Sequence, residues 1–256
     1  MKYLSAFLFI VLLNIHHIPC LEKTIIIGRE DNWKYLSYQE NVHLLQGKQG
    51  YLDIALTDGE YTVSSDTDLL LHFNQQPIYD NTGNYHIVSS KVRTTTDHSM
   101  LGAKAGLFRS WYGGLELLPQ EGSLFYPGTE WRDFTIEFWL YPVTMENGEQ
   151  ILFWRGRRKY RDSNIVQEIS CSFEKRHLRW EFKNIFIPPD QDRPYTVTFA
   201  NDSTLVPETW THHTVRFDST TGLIEYYIDN IPEAIRYATE TEEEDGTVFT
   251  PYIGSS

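Results

Sequence analysis

The segment Trp210–Glu233 reads WTHHTVRFDSTTGLIEYYIDNIPE and has a two-residue periodicity on both sides of a short break. Apolar side chains occupy alternate positions up to Phe217 and again between Leu223 and Ile228. The break, Asp218–Gly222, contains a glycine and small polar residues of the kind that turns require. Apolar alternation on both sides of such a break predicts a β-hairpin.

His212 and His213 lie in the first strand of this predicted hairpin and raise the question of a metal site. Adjacent residues of a strand point to opposite faces of the sheet, so the two rings cannot bind one ion together. A chelating pair needs i, i+2 spacing on a strand or i, i+4 spacing on a helix. The sequence therefore predicts that both histidines are structural and assigns no metal ligand.

Short apolar or alternating runs between turn-forming residues recur along the whole chain, and no long segment has helical periodicity. A stretch around Leu36–Leu45 is the best candidate for a helix. Besides the hairpin, the predicted strands are Thr24–Ile27, Tyr51–Leu56, Leu69–Phe73, Leu115–Leu118, Phe134–Tyr141, Ile151–Trp154, Val166–Ser172, His177–Phe182 and Tyr195–Phe199. Many short strands joined by turns predict an all-β sandwich or barrel.

The segment FTIEFWLY, Phe134–Tyr141, is predicted to be a central strand of the core. Its apolar face consists of Phe134, Ile136, Phe138 and Leu140. Burying that face contributes roughly 6–12 kcal/mol of gross hydrophobic free energy. Pro142 cannot donate to a ladder and is expected to end the strand. Trp180, flanked by apolar residues at alternate positions, is expected in the same core.

Two turns have residues that tolerate a positive φ, Asp80–Gly83 and Asn147-Gly148. A third, Asp229-Asn230, is predicted to close a second hairpin that returns into Ala234–Tyr237.

The chain has 256 residues, and close to its start, after Lys2, lies the apolar run LSAFLFIVLLNI, from Leu4 to Ile15. That run is too short to span a bilayer and is typical of the apolar part of a secretory signal peptide. We expect residues 1–20 to be a signal peptide and the protein to be secreted, periplasmic or on the cell surface. The alternative is that the run is a buried strand or helix of the fold.

The chain has two cysteines, Cys20 and Cys171, which is too few for a disulfide framework. Cys20 lies where a signal peptide would be cleaved, and it could instead carry a lipid tether, although His17–Pro19 before it matches that pattern poorly. The sequence Asn201-Asp-Ser203 is an acceptor for N-glycosylation in a eukaryotic secretory pathway.

The chain contains 22 basic and 35 acidic residues, a formal net charge of −13. A negative protein repels phosphate backbones, so nucleic acid is not an expected partner. The acidic run Glu240–Asp245 is expected to be a solvated loop. The basic run Arg155–Lys159, followed by Tyr160 and Arg161, is expected to be an exposed loop. An acidic glycan or an acidic protein could bind there, with Arg157, Arg158 and Tyr160 as candidate ligand-binding residues.

Five segments, taken together and in this order, resemble the laminin-G-like, concanavalin-A-like lectin/glucanase jelly-roll superfamily. They are Asp68–Phe73, Ile78–Asn84, Phe134–Pro142, Trp210–Phe217 and Thr221–Asn230. The resemblance implies a two-sheet antiparallel jelly-roll sandwich over residues 66–256. Residues 21–65 are then an N-terminal extension or additional strands of the same sandwich.

The chain departs from the family pattern in two places. Asp229-Asn230 stands where the family usually has Asp-Gly, a mild change because asparagine also tolerates a positive φ. The chain stops at Ser256, without the Gly-x-Ile/Leu-Asp-Glu type of segment that usually closes the sandwich. We therefore expect a domain that is truncated at its C-terminus, with an exposed strand edge nearby.

Enzymes of this superfamily place carboxylates in a Glu-x-Asp-x-(x-)Glu pattern on one strand. That pattern is absent here, because Glu137 stands alone on its strand face and Glu225 has only Asp229 four residues on. The prediction is a protein that is not an enzyme, with a glycoside hydrolase relative as the weakest alternative.

The predicted function is a secreted or envelope-exported binding module for a glycan or an extracellular or envelope protein. Trp139 and Glu137, opposite the apolar face, are candidate ligand-binding residues because sugars stack on aromatic rings beside polar groups. The alternatives are that this face packs against another layer, and that the domain is a structural or adhesive bead without a sugar site. Some relatives use calcium, to which Asp80, Asp229 and Glu242–Asp245 could contribute, but no cofactor is assigned.

Overall fold

The computed structural model describes residues 60–109, 114–186, 195–247, 251 and 253 in full. Before residue 60 it describes the backbone of five strands. These are β1 (Ala6–Leu13), β2 (Thr24–Ile27), β3 (Lys34–Ser37), β4 (Val42–Gln46) and β5 (Leu52–Leu56). The chain divides into two compact units, residues 17–62 and residues 63–256 together with 1–16. In the smaller unit, β2 pairs with β3 and β4 pairs with β5, both antiparallel.

The larger unit contains the remaining strands. They are β6 (Thr67–Leu70), β7 (Tyr85–Ser90), β8 (Arg93–Thr95), β9 (Ala105–Phe108), β10 (Leu115–Pro119), β11 (Phe134–Pro142), β12 (Gln150–Tyr160), β13 (Ser163–Glu174), β14 (His177–Phe186), β15 (Tyr195–Ala200), β16 (Thr211–Asp218), β17 (Leu223–Ile228) and β18 (Ile231–Tyr237). The first sheet has the order β18-β17-β16-β11-β1-β9-β8, with β6 also paired to β1. The second has the order β12-β13-β14-β15, and β7 pairs with β10 in a separate ribbon.

The two sheets pack face to face through their apolar sides. Phe138 of the first sheet lies 6.1 Å from Trp180 of the second, centroid to centroid, and Phe134 lies 6.0 Å from Phe182. Each of these four side chains is at most 1% exposed. The fold is therefore an all-β, antiparallel sandwich, and the predicted core positions of β11 and Trp180 are confirmed.

Both predicted hairpins are confirmed. Asp218 pairs with Leu223 across the first, and Ile228 pairs with Ile231 across the second. In the second turn, Asp229 has a φ of 51° and Asn230 a φ of 64°. Two consecutive left-handed residues match the right-handed twist of the flanking strands, which is why this pair closes a two-residue turn.

The helix expected around residues 36–45 is wrong where the structure describes it. Residues 36–37 end β3 and residues 42–45 belong to β4, and each of these strands has an antiparallel partner. Short apolar runs fit helical and strand periods almost equally well, so the available partner strand decides between them.

The apolar run near the N-terminus contributes β1, which lies between β11 and the pair β6 and β9. Its register against β11 runs from Ala6 opposite Pro142 to Leu13 opposite Thr135. The signal-peptide interpretation concerns these same residues, and a chain cleaved after residue 20 lacks β1.

Near the other end, β18 is the last strand of its sheet and exposes Ile231 and Ile235. The truncation itself stays a prediction.

Candidate functional site

Glu137 and Trp139 lie side by side on the outer face of β11, as the alternation predicts, but both are largely packed. The Trp139 ring lies 4.9 Å from the ring of His212 on β16. The side chain of Glu137 is 14% exposed, and its Oε2 lies 3.8 Å from His212 Nε2, too far for a hydrogen bond. Burial lowers the pKa of His212 to about 4, so its ring is neutral at pH 7. Little of this pair is therefore open to a ligand.

An aromatic row continues from Trp139 along β11 and includes residues from distant segments. Tyr141 lies two residues further along the same face, 5.4 Å from Trp210 and stacked at 4.5 Å on the exposed ring of His98. The strand period alone places Trp139 and Tyr141 together, but His98 is far away in sequence and gives no local signal.

The basic run Arg155–Arg161 is not a loop, and that expectation is wrong. Residues up to Tyr160 belong to β12, and the chain turns at Arg161 and Asp162 into β13. Pairing of β13 with β14 begins at Glu168, so residues between 155 and 167 form a two-stranded extension at the edge of the second sheet. We call this extension, together with the flanking residues Phe153, Trp154 and Glu168, the basic ribbon (residues 153–168). Charged side chains are common on edge strands, because they oppose pairing with other chains.

Strand alternation divides the cations of the basic ribbon between two faces. Arg155, Arg157 and Lys159 point outward and are exposed, whereas Arg158 and Tyr160 lie on the opposite face and are half-buried. Side chains at alternate positions of a strand are about 6.6 Å apart. The structure thus separates Arg157 from the other two candidate residues in the run and places it between Arg155 and Lys159.

The three outward cations differ in how they are neutralised. Arg155 donates from Nε and Nη2 to one oxygen of Glu168, at 3.1 and 2.8 Å, and its guanidinium lies over Phe153. Among the described residues, Arg157 and Lys159 have no ion pair. These two side chains are therefore the cations that a ligand could neutralise.

Gly156, near the start of the basic ribbon, leaves room for the side chain of Trp154. A Cβ at this position would lie 2.6 Å from two ring atoms of Trp154, so the indole lies directly against the glycine backbone. The ring of Trp154 also lies 5.5 Å from the ring of Phe125, centroid to centroid. The packing joins the ribbon to the core and leaves its outer face to the charged residues.

The acidic run Glu240–Asp245 is exposed, as expected, but side-chain hydrogen bonds give it a defined shape. Asp245 accepts hydrogen bonds from the backbone and hydroxyl of Thr241, at 3.0 and 2.7 Å, and from the backbone of Thr247 at 2.8 Å. These bonds lower the pKa of Asp245. Burial and the nearby Glu242 raise the pKa of Tyr195, at the start of β15, to about 12. We call residues 240–245 the acidic turn.

The carboxylates considered for calcium are separate. Asp80 accepts four hydrogen bonds, one from Leu70, one from Tyr85 and two from Thr82, and Asp229 accepts one from the backbone of His212. Throughout the fully described ranges, no three His, Cys, Asp or Glu side chains converge as a metal site.

Asn201, the glycosylation acceptor by sequence, is 3% exposed. Its Oδ1 accepts a hydrogen bond from the backbone of Leu178 at 2.5 Å, and its Nδ2 donates to the carbonyl of Ser203. Both ends of the amide are therefore occupied within the fold.

Replacing Asn201 with aspartate is expected to lower the free energy of unfolding by about 2 kcal/mol. The change puts a carboxylate oxygen against the Ser203 carbonyl, where the amide had donated. Chemical unfolding of the Asn201→Asp variant measures the loss, and Asp202→Asn, at an exposed neighbour, is the control. A stability equal to the wild type would contradict this role of the amide.

In comparisons with known proteins, no family model, curated protein or solved structure matched this chain. The described part of the chain contains no helix that is long and apolar enough to cross a membrane.

Proposed function

We propose that this chain is an exported, non-enzymatic binding module of the laminin-G-like, concanavalin-A-like jelly-roll type, and that it binds an anionic ligand through the basic ribbon. The antiparallel sandwich and the order of the sequence segments support the family. An anionic ligand is proposed because Arg157 and Lys159 are exposed and have no ion pair among the described residues.

The charge distribution favours this site. The ribbon has five cations, Arg155, Arg157, Arg158, Lys159 and Arg161, and two acids, Asp162 and Glu168. The chain as a whole has a net charge of −13, so the ribbon is a local positive region on a negative protein. A charged ligand approaching such a surface is steered toward the region of opposite sign. Exposed Phe153 beside Arg155 adds an apolar contact.

Reversing the two free cations, Arg157→Glu with Lys159→Glu, is expected to weaken binding of anionic polymers roughly tenfold or more. The probes are immobilised heparin, a sulfated glycan, and immobilised polyglutamate, an acidic polypeptide. The affinity of the wild type should fall steeply with salt, because binding releases counterions and screening weakens the charge contacts. Titration calorimetry or surface plasmon resonance measures both effects.

The matched control is Lys91→Glu with Arg93→Glu, which reverses one exposed lysine and one exposed arginine in and beside β8 of the other sheet. Binding should survive in this control. The proposed function fails if neither probe binds the wild type, or if both double variants lose the same affinity, because net charge alone would then explain the result. A preference for one probe decides between a glycan and a protein ligand.

A further inference from the structure

The basic ribbon and the acidic turn lie at the same end of the second sheet but at opposite edges. Glu168 pairs with Lys183 near the C-terminal end of β14, which is Phe186. The ribbon residues before Glu168 therefore extend beyond this same end of β14. Phe186 pairs with Tyr195, and Tyr195 contacts Glu242 of the acidic turn. The ribbon and β15 are two to three strand spacings apart, about 10–15 Å.

The acidic turn has five exposed carboxylates, on Glu240, Glu242, Glu243, Glu244 and Asp245. Of these, Asp245 is held by Thr241 and Thr247, and Glu242 interacts with Tyr195. The side chains of Glu243 and Glu244 make no ion pair with the described cations. Within the described residues, the acidic turn and the basic ribbon therefore each have two side chains without an ion pair, and the two groups do not neutralise each other within one molecule.

We infer that two copies of this chain associate end to end, with the acidic turn of each copy bound to the basic ribbon of the other. The inference rests on the proposed function, since it names an acidic partner for the same ribbon. If a two-fold axis at this end of the sandwich relates the two copies, the ribbon edge of one copy lies against the acidic-turn edge of the other. Each acidic turn then faces a ribbon, and both contacts form in the same dimer. Self-complementary contacts of this kind close into a dimer.

The opposing effect is the net charge of −13 on each copy. At physiological salt the screening length is about 8 Å, so distant like charges on the two copies are largely screened while groups in contact are not. The dimer should therefore form at physiological salt and dissociate when the salt concentration is raised several-fold.

The test is sedimentation velocity of the full chain and of two charge-reversed variants. The ribbon variant is Arg157→Glu with Lys159→Glu, and the turn variant is Glu243→Lys with Glu244→Lys. Each variant alone should have a dissociation constant at least about tenfold higher than the wild type, because both contacts of its homodimer become repulsive. A one-to-one mixture of the variants should restore the dimer, since both of its contacts are again between opposite charges.

Control substitutions keep the interpretation specific. Lys91→Glu with Arg93→Glu and Glu116→Lys with Glu121→Lys make the same charge changes at exposed positions elsewhere and should leave the dimer intact. Thermal unfolding confirms that each variant is folded.

Three results would overturn the inference: a wild type that stays monomeric up to millimolar concentration, a dimer that both variants retain, or no dimer in the mixture. Binding of heparin or polyglutamate is measured on the same samples. If the ribbon variant loses that binding while the wild type stays monomeric, the proposed function stands, the dimer does not, and the acidic partner is another molecule. The opposite result is also informative. If the mixture of variants restores the dimer but the wild type binds neither heparin nor polyglutamate, the dimer stands and the proposed binding of anionic polymers is wrong.

Discussion

Replacing Asp80 with alanine is expected to lower the free energy of unfolding by about 3–5 kcal/mol. Asp80 is 6% exposed, and its carboxylate accepts hydrogen bonds from the backbone N–H groups of Leu70, Thr82 and Tyr85 at 3.0–3.1 Å. The hydroxyl of Thr82 donates a fourth, at 2.6 Å. Alanine leaves the N–H groups of two buried residues, Leu70 and Tyr85, without this acceptor.

Urea unfolding monitored by tryptophan fluorescence measures the effect of the Asp80 change. Asp80→Asn should lose part of the stability, because an amide keeps one acceptor oxygen and turns a donor toward the remaining N–H groups. The control is Asp97→Ala, at an exposed position, which should change the free energy of unfolding by no more than about 0.5 kcal/mol. Equal stability of the Asp80 and Asp97 variants would show that the turn does not depend on the carboxylate.

Acidification from pH 6.5 to pH 4.5 is expected to destabilise the wild type through His212 and His213. Burial lowers the pKa of His212 to about 4, and burial together with His212 lowers that of His213 to about 3. In the unfolded chain both rings bind a proton below pH 6.5, whereas in the folded protein they stay neutral. The unfolded state therefore gains protons as the pH falls, and each histidine reduces the stability by up to about 1.4 kcal/mol per pH unit.

The surroundings of the two rings explain why the neutral forms are favoured. His213 is fully buried, stacks on Phe138 at 5.0 Å, and makes hydrogen bonds of 2.8 Å with Thr211 and Tyr226. Neither partner is a carboxylate that could stabilise a protonated ring. Glu137 lies near His212, but at 3.8 Å it does not offset the loss of solvation.

Other groups act in the opposite direction and must be separated from the histidines. Burial and Glu146 raise the pKa of Glu149 to about 7, so this group favours the folded state as the pH falls from 7 toward 4.5. Burial also raises the pKa of Asp68 and of Asp229. The quantity to measure is therefore a difference in pH dependence, between the wild type and a variant with both His212→Gln and His213→Gln. The carboxyl groups contribute equally to both proteins, so their contributions cancel in this difference.

The pH dependence of the glutamine variant should be shallower by up to about 2.7 kcal/mol per pH unit near pH 5, whatever its absolute stability. Urea unfolding at several pH values gives both slopes. His86→Gln, at an exposed position, should keep the slope of the wild type. If the double variant keeps it as well, the buried histidines do not cause the acid sensitivity.

The candidate site was only partly predictable from the sequence. The basic run and its exposure could be read directly, because five cations in seven residues cannot be buried without partners. Which cations share a face depended on whether the run is a loop or a strand. The basic run has too few apolar residues to show the alternation by which strands are recognised. Only its pairing with β13 shows that it is a strand.

The sequence alone determined the features that depend on neighbouring residues: the alternation of β11, the two late hairpins, and the turn at Asp229-Asn230. These follow from side-chain direction and from the φ values that a short stretch of chain can adopt. Only the tertiary structure decided which polar groups meet. The carboxylate of Asp68 accepts from the backbone of Leu124, 56 residues away, and Asp133 accepts from Ser219, 86 residues away. A hydrogen bond needs its two partners within about 3 Å, and no local pattern specifies which distant segment the packing of two sheets will bring that close.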